Sequence, residues 1–100
     1  MYCNYVIEKF LKENKEHLSP FNIKDANKIM KGELNAIVCT ATGVEVRIIC
    51  TDAKGDFPVI GLIDYGNNER PKRFTANGLH RDDYITDFDL YIYNKNNKNN

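Results

Sequence analysis

From residue 35 onward the apolar residues of this chain recur at every second position, and that period constrains its fold more than any other feature. In "VEVRIICT", residues 44–51, Val44, Val46, Ile48 and Cys50 fall on one side and Glu45, Arg47 and Thr51 on the other. Successive side chains of a strand point to opposite faces, so such alternation marks a strand with one buried side. Ile49 breaks the pattern, which implies partial cover on the second side. "NAIVCT", residues 35–40, is also strand-like, and "ATG" turns the chain at Gly43. "FPVIGLID", residues 57–64, reads as the next strand. Pro58 sits near its start, where a missing donor is tolerated, and Gly61 marks a bulge or a close backbone approach. Residues 44–64 therefore read as the central hairpin of a sheet, with the charged "DAKGD" as its loop and Gly55 at the tight point.

Further along, "RPKRFT" is polar and contains Pro71, which cannot serve a central ladder, so it reads as an edge strand. Asn77-Gly78 signals a turn, "LHRDDYITD" is irregular, and "FDLYIY" returns to alternation. There Phe88, Leu90 and Ile92 oppose Asp89, Tyr91 and Tyr93.

Before residue 35 the period is helical. Val6, Ile7, Phe10 and Leu11 share one face of a helix over about residues 4–16, which Asn4 can cap and "HLSP" ends. "FNIKDANKIMKGE" reads as a second short helix, capped by Asn22, with Ile23, Ala26, Ile29 and Met30 on one face and Gly32 past its end. Both apolar faces need a partner, and the sheet is the only large one. The expected fold is α+β: two short N-terminal helices packed on a four- to five-stranded antiparallel β-meander. Residues 1–93 form one domain, and the Asn/Lys run at 94–100 is expected to be a disordered tail.

Composition narrows the function. Lysine and arginine total 14, aspartate and glutamate 14, so net charge is zero. A non-specific nucleic-acid binder needs a basic excess to neutralise phosphates, which argues against that class. Cys3, Cys39 and Cys50 form no CxxC pair, and His17 and His80 add no metal-ligand spacing, so neither metal nor cofactor is expected. The start of the chain does not read as a signal peptide, and no apolar run spans a membrane. The expected location is the cytoplasm.

Chemistry-bearing residues are few. His80 with Asp82 or Asp83 in "HRDDY" could pair as acid and base, which is the enzymatic alternative; a solvated loop is the plainer reading. Arg70, Lys72 and Arg73 flank Pro71, and Tyr65 precedes them. Alternation puts Arg70, Lys72 and Phe74 on one side and Arg73 on the other. Guanidinium forks beside aromatic faces suit phosphates and bases, and Arg47 joins them if the polar face is concave. The same charges also protect a sheet edge from aggregation. Tyr91 and Tyr93, read as outward, suit an interface. Tyr5, Phe10 and Leu11 give the first helix a surface for a homo-oligomer.

The order of motifs, "SPFNIKDANKIMKGE", "VCTATGVEVRIICTD", "KGDFPVIGLIDYG", "RFTANGLH" and "DFDLYI", resembles a group of small uncharacterised proteins encoded by bacteriophages and prophages. The likeness covers roughly residues 19–92. Ala41 and Thr42 stand where many of those proteins carry charged residues. Some small phage proteins of this size and β-rich build sequester nucleotide signals of bacterial immunity without hydrolysing them. The resemblance thus implies a non-catalytic anti-defence protein in the host cytoplasm. Its ligand would be a small anionic nucleotide held by Arg47, Tyr65, Arg70, Lys72 and Arg73, or its partner a host protein.

Overall fold

The computed structural model describes residues 4–81, 86 and 88–95. The elements are α1 (Asn4–Glu13), β1 (Leu18–Pro20), α2 (Ile23–Met30), β2 (Ala36–Thr40), β3 (Glu45–Cys50), β4 (Val59–Asp64), β5 (Glu69–Phe74) and β6 (Leu90–Asn94). The strands form one six-stranded sheet in the order β1-β6-β2-β3-β4-β5, and every pairing is antiparallel. The α+β class with an antiparallel sheet is as expected, but there are six strands rather than four or five. From β2 to β5 the sheet is a meander of consecutive hairpins. β6 then inserts between β1 and β2, pairing Ile92 with Ser19 on one side and with Val38 on the other.

β1 escaped the sequence reading because "LSP" is too short to show alternation and ends in proline. Its proline is tolerated because β1 is an edge. α1 correspondingly stops at Glu13. Asn14 closes it, its side-chain amide donating to the Phe10 carbonyl at 2.9 Å. β6 runs one residue into the Asn/Lys segment. Asn94 pairs with Ala36, and its side-chain amide donates to the His17 carbonyl and to Ser19 Oγ. Residues 96–100, the rest of the expected tail, lie outside the described residues.

Alternation sorts the sheet into two faces. Ala36, Val38, Val46, Ile48, Val59, Ile63, Phe74, Leu90 and Ile92 are buried on the first face. α2 packs over β2 and β3 on that face, and Phe21 and Ala26 join the same cluster. α2 forms as the sequence expects. The Asn22 side chain accepts from the Asp25 amide at 2.8 Å, satisfying an orphan donor of the first turn. At the other end Gly32 N–H donates to the Ile29 carbonyl and Glu33 N–H to the Lys28 carbonyl, a Schellman closure.

The two helices do not share one face. Leu11 of α1 and Lys15 just after it line a cleft with Leu18, Pro20 and Tyr91, which alternate away from Ile92 and Val38. α1 therefore sits on the second face, where Cys39 is 2% exposed. Burial, with Glu45 nearby, pushes the Cys39 thiol up to about 11. Tyr91 and Tyr93 are on this face too, half-buried rather than outward, and Tyr93 stacks on His17 with ring centroids 5.1 Å apart. The side chain of Tyr5, expected in an oligomer surface, lies outside the described residues. Phe10 packs on the β2–β3 turn at Gly43, and Leu11 faces the cleft above.

Three local features correct the pattern drawn from sequence. A register shift between Ile48 and Cys50 throws Ile49 outward, to 48% exposure, and leaves Cys50 half-buried. Val44 lies outside β3 and is exposed. Asp89, expected on the polar side, is 3% exposed. Its carboxylate accepts from the His80 and Thr86 amides and from Thr86 Oγ1, at 3.0, 3.1 and 2.9 Å, so a buried charge is held by backbone and hydroxyl donors.

Gly61 is a close approach, as its place in the strand implied. A Cβ there would fall 2.6 Å from Val46 Cγ1 and 3.3 Å from Ile48 Cδ1. Gly78, with φ of 84°, has the Cβ of Phe21 at 2.7 Å from where its own would stand. Its carbonyl accepts from the Leu90 amide, which ties the turn after β5 to the start of β6.

Candidate functional site

β5 is an edge strand, as its proline and charges indicated. Its register against β4 decides where each basic side chain goes. Phe74 pairs with Val59, Lys72 with Gly61 and Arg70 with Ile63, so these lie on the first, buried face. Glu69, Pro71 and Arg73 lie on the second face, along with Arg47 of β3. The alternation expected for Arg70, Lys72, Phe74 and Arg73 is the one observed.

This register separates the five residues expected to bind an anion. Arg47 spends its Nε and Nη2 on Glu69, at 3.2 and 2.7 Å, in the one ion pair among the described residues. The hydrogen bond from Arg47 holds the Glu69 carboxyl below its usual range, and the same bond raises Arg47. Both groups are solvent-exposed, so the pair is a screened surface contact. Tyr65 and Arg70 meet at the β4–β5 turn, with the guanidinium carbon 5.6 Å from the ring centroid. Lys72 and Arg73 sit at the opposite end of β5.

That end borders a groove of about 830 Å³. Pro71, Lys72 and Arg73 form one wall, the loop residues Lys54, Gly55, Asp56 and Phe57 another, and His80 and Arg81 the third. Four basic residues, Lys54, Lys72, Arg73 and Arg81, thus line a groove in which Asp56 is the one carboxylate among the described residues.

Arg73 ties two of the walls together. Its Nε donates to the Phe57 carbonyl at 3.1 Å and its Nη2 to the Lys54 carbonyl at 3.0 Å. The Ala53 amide donates to the Pro58 carbonyl and closes the loop on itself. Lys72 Nζ stands 4.5 Å from the Phe88 ring centroid, a cation–π contact. The His80 imidazole meets Phe88 and Phe74 edge-on, at 5.4 and 6.1 Å between centroids. Its Nδ1 is buried and has no hydrogen-bond partner among the described residues. The expected partners of His80 in acid–base chemistry, Asp82 and Asp83, lie outside the described residues.

Lys54, Phe57 and Arg81 were not singled out in the sequence. The signal for the first two is topological. β3, β4 and β5 are consecutive antiparallel strands, so the loop before β4 must return beside the end of β5. "DAKGD" and "KRF" therefore meet although about 20 residues separate them.

No group of three or more His, Cys, Asp or Glu able to hold a metal ion occurs among the described residues. No helix there is long and apolar enough to cross a membrane. Fold and groove define an α+β protein with an antiparallel sheet and a cationic recess at one sheet edge. Comparison with protein-family models, curated proteins and solved structures gave no match.

Proposed function

We propose that this chain is a non-catalytic binding protein that sequesters a small anionic, nucleotide-like ligand in the groove at the end of β5. The observation that supports this most is the gathering of Lys54, Lys72, Arg73 and Arg81 around one recess, with Asp56 the one carboxylate lining it among the described residues. Phe57, Pro71 and the His80 ring add apolar surface on which a planar group can rest. Lys72 and Arg73 are retained from the sequence-based set, and Lys54, His80 and Arg81 join them. Arg47, Arg70 and Tyr65 are assigned to an ion pair and a cation–π contact elsewhere on the sheet. The reading agrees with the resemblance to small phage-encoded proteins and with a sequestering role in a host cell.

Isothermal titration calorimetry against a panel of nucleotides tests it, with chromatography of the ligand recovered afterwards. Wild type should bind at least one nucleotide and return it chemically unchanged. Lys72→Ala and Arg81→Ala should each weaken binding. A panel with no binder, or a ligand returned as product, would sink the proposal.

A further inference from the structure

We infer that Arg73 is the anchor of the groove and that it selects a phosphoryl group. This rests on the anion-binding reading above and names the residue and ligand group that carry it. The inference comes from which edge of the guanidinium is already occupied. Nε and Nη2 define the side edge of the planar group, and here both donate to main-chain carbonyls, of Phe57 and Lys54. The end edge, formed by Nη1 and the second N–H of Nη2, carries the remaining donors. That edge points onward from the side chain, and Arg73 lines the groove.

Arg47 gives the contrast. It uses the same side edge, but on the carboxylate of Glu69, so its charge is neutralised in place. Neutral carbonyls leave the charge of Arg73 uncompensated while fixing its plane. No carboxylate among the described residues forms an ion pair with it. A fixed, uncompensated fork is the arrangement that binds two oxygens of one anion by parallel hydrogen bonds. Ordering a free arginine costs side-chain entropy; here the protein has already met that cost on folding.

The rest of the groove favours a phosphoryl group over a carboxylate. A carboxylate presents two oxygens, which the end edge alone would satisfy. A phosphoryl group has a third oxygen and a further negative charge, and Lys54 and Lys72 line the same recess. Lysine cannot replace Arg73. An ammonium keeps the charge but has no planar fork, and cannot span both loop carbonyls while also presenting a second edge.

The test uses the full chain with AMP, ribose 5-phosphate, inorganic phosphate and citrate as probes, read by calorimetry. Arg73→Lys should weaken AMP and ribose 5-phosphate at least about tenfold, and Lys72→Ala by less. Equal affinity for AMP and inorganic phosphate would identify free phosphate as the ligand and keep Arg73 as its anchor. Thermal melts check that each variant folds. If Arg73→Lys does not fold, NMR of the wild-type guanidinium groups serves instead: the Arg73 Nη signals should shift and sharpen with ribose 5-phosphate, and those of Arg47 should not. Arg73→Lys binding like wild type while Lys72→Ala and Arg81→Ala lose affinity would overturn the anchor and leave the groove reading standing. Citrate binding as tightly as the phosphate esters would overturn the phosphoryl selection alone. Failure of every anionic probe on wild type would remove the groove reading, and this inference with it.

Discussion

Gly61 offers a test of packing whose sign should reverse with its neighbour. An alanine Cβ at this position would lie 2.6 Å from Val46 Cγ1, well inside van der Waals contact. Both residues belong to the sheet's buried layer, so neither can swing to solvent. Forcing a methyl into such a layer costs about 1–3 kcal/mol. Val46→Ala removes the obstructing carbon; the lost apolar burial and the cavity together cost about 2 kcal/mol. With Val46 shortened, the nearest atom becomes Ile48 Cδ1 at 3.3 Å, the end of a flexible chain that can move by a few tenths of an ångström. The added methyl then fills the vacated space. It also removes the entropic cost of a strand glycine, about 0.5–1 kcal/mol. Gly61→Ala should therefore destabilise wild type and be neutral or stabilising in the Val46→Ala background. Urea unfolding followed by circular dichroism on the four proteins of the cycle gives the coupling, expected at about 2 kcal/mol. If Gly61→Ala costs the same in both backgrounds, to within about 0.5 kcal/mol, the steric reasoning is wrong.

Asp89→Ala would strand the His80 and Thr86 amides and the Thr86 hydroxyl, and should cost about 3 kcal/mol or more, seen as a drop in Tm. Asn22→Ala should cost about 1 kcal/mol by the same measurement, because the Asp25 amide loses its acceptor. Cys39 supplies an alkaline limb. Its folded value is raised from 9.0 to about 11, so the thiol form is favoured in the fold, and that stability is full below pH 9 and lost as pH rises to about 11. Cys39→Val should flatten the fall in Tm across that window; an unchanged slope would show that Cys39 does not cause it. Arg47→Ala should let the Glu69 carboxyl titrate higher, measured by NMR, since the hydrogen bond from Arg47 is what lowers it.

The elements with many residues in period were legible, and those fixed by non-local pairing were not. β3 alternates as far as Ile48, β4 is a short apolar run, and their hairpin follows from local pattern. α2 announces both ends, through Asn22 and Gly32. β1 has three residues, held by hydrogen bonds to a strand about 70 positions later, and nothing local in "LSP" encodes that. Asp89 was misplaced for a related reason. Period-two reasoning put it opposite Leu90, but it precedes the strand and turns inward to donors from residues 80 and 86. In the groove, the sequence supplied Lys72 and Arg73 from the edge strand. It also grouped Arg47 and Arg70 with them, since charge sign is visible in a sequence and the nearest carboxylate or ring is not. The loop at Lys54 was read only as the charged loop of the central hairpin, because what lies beside it depends on where β5 returns.

The position of β6 bears on the order in which the chain can assemble. β2 to β5 are joined by consecutive hairpins, and each pairing closes a short loop. Both neighbours of β6 must instead be bridged across about 50 to 70 intervening residues, which adds entropic cost before any contact is gained. During synthesis on the ribosome the sheet therefore stays split, with the outer rim of β2 bare, until Leu90–Asn94 emerges and stitches β1 onto it.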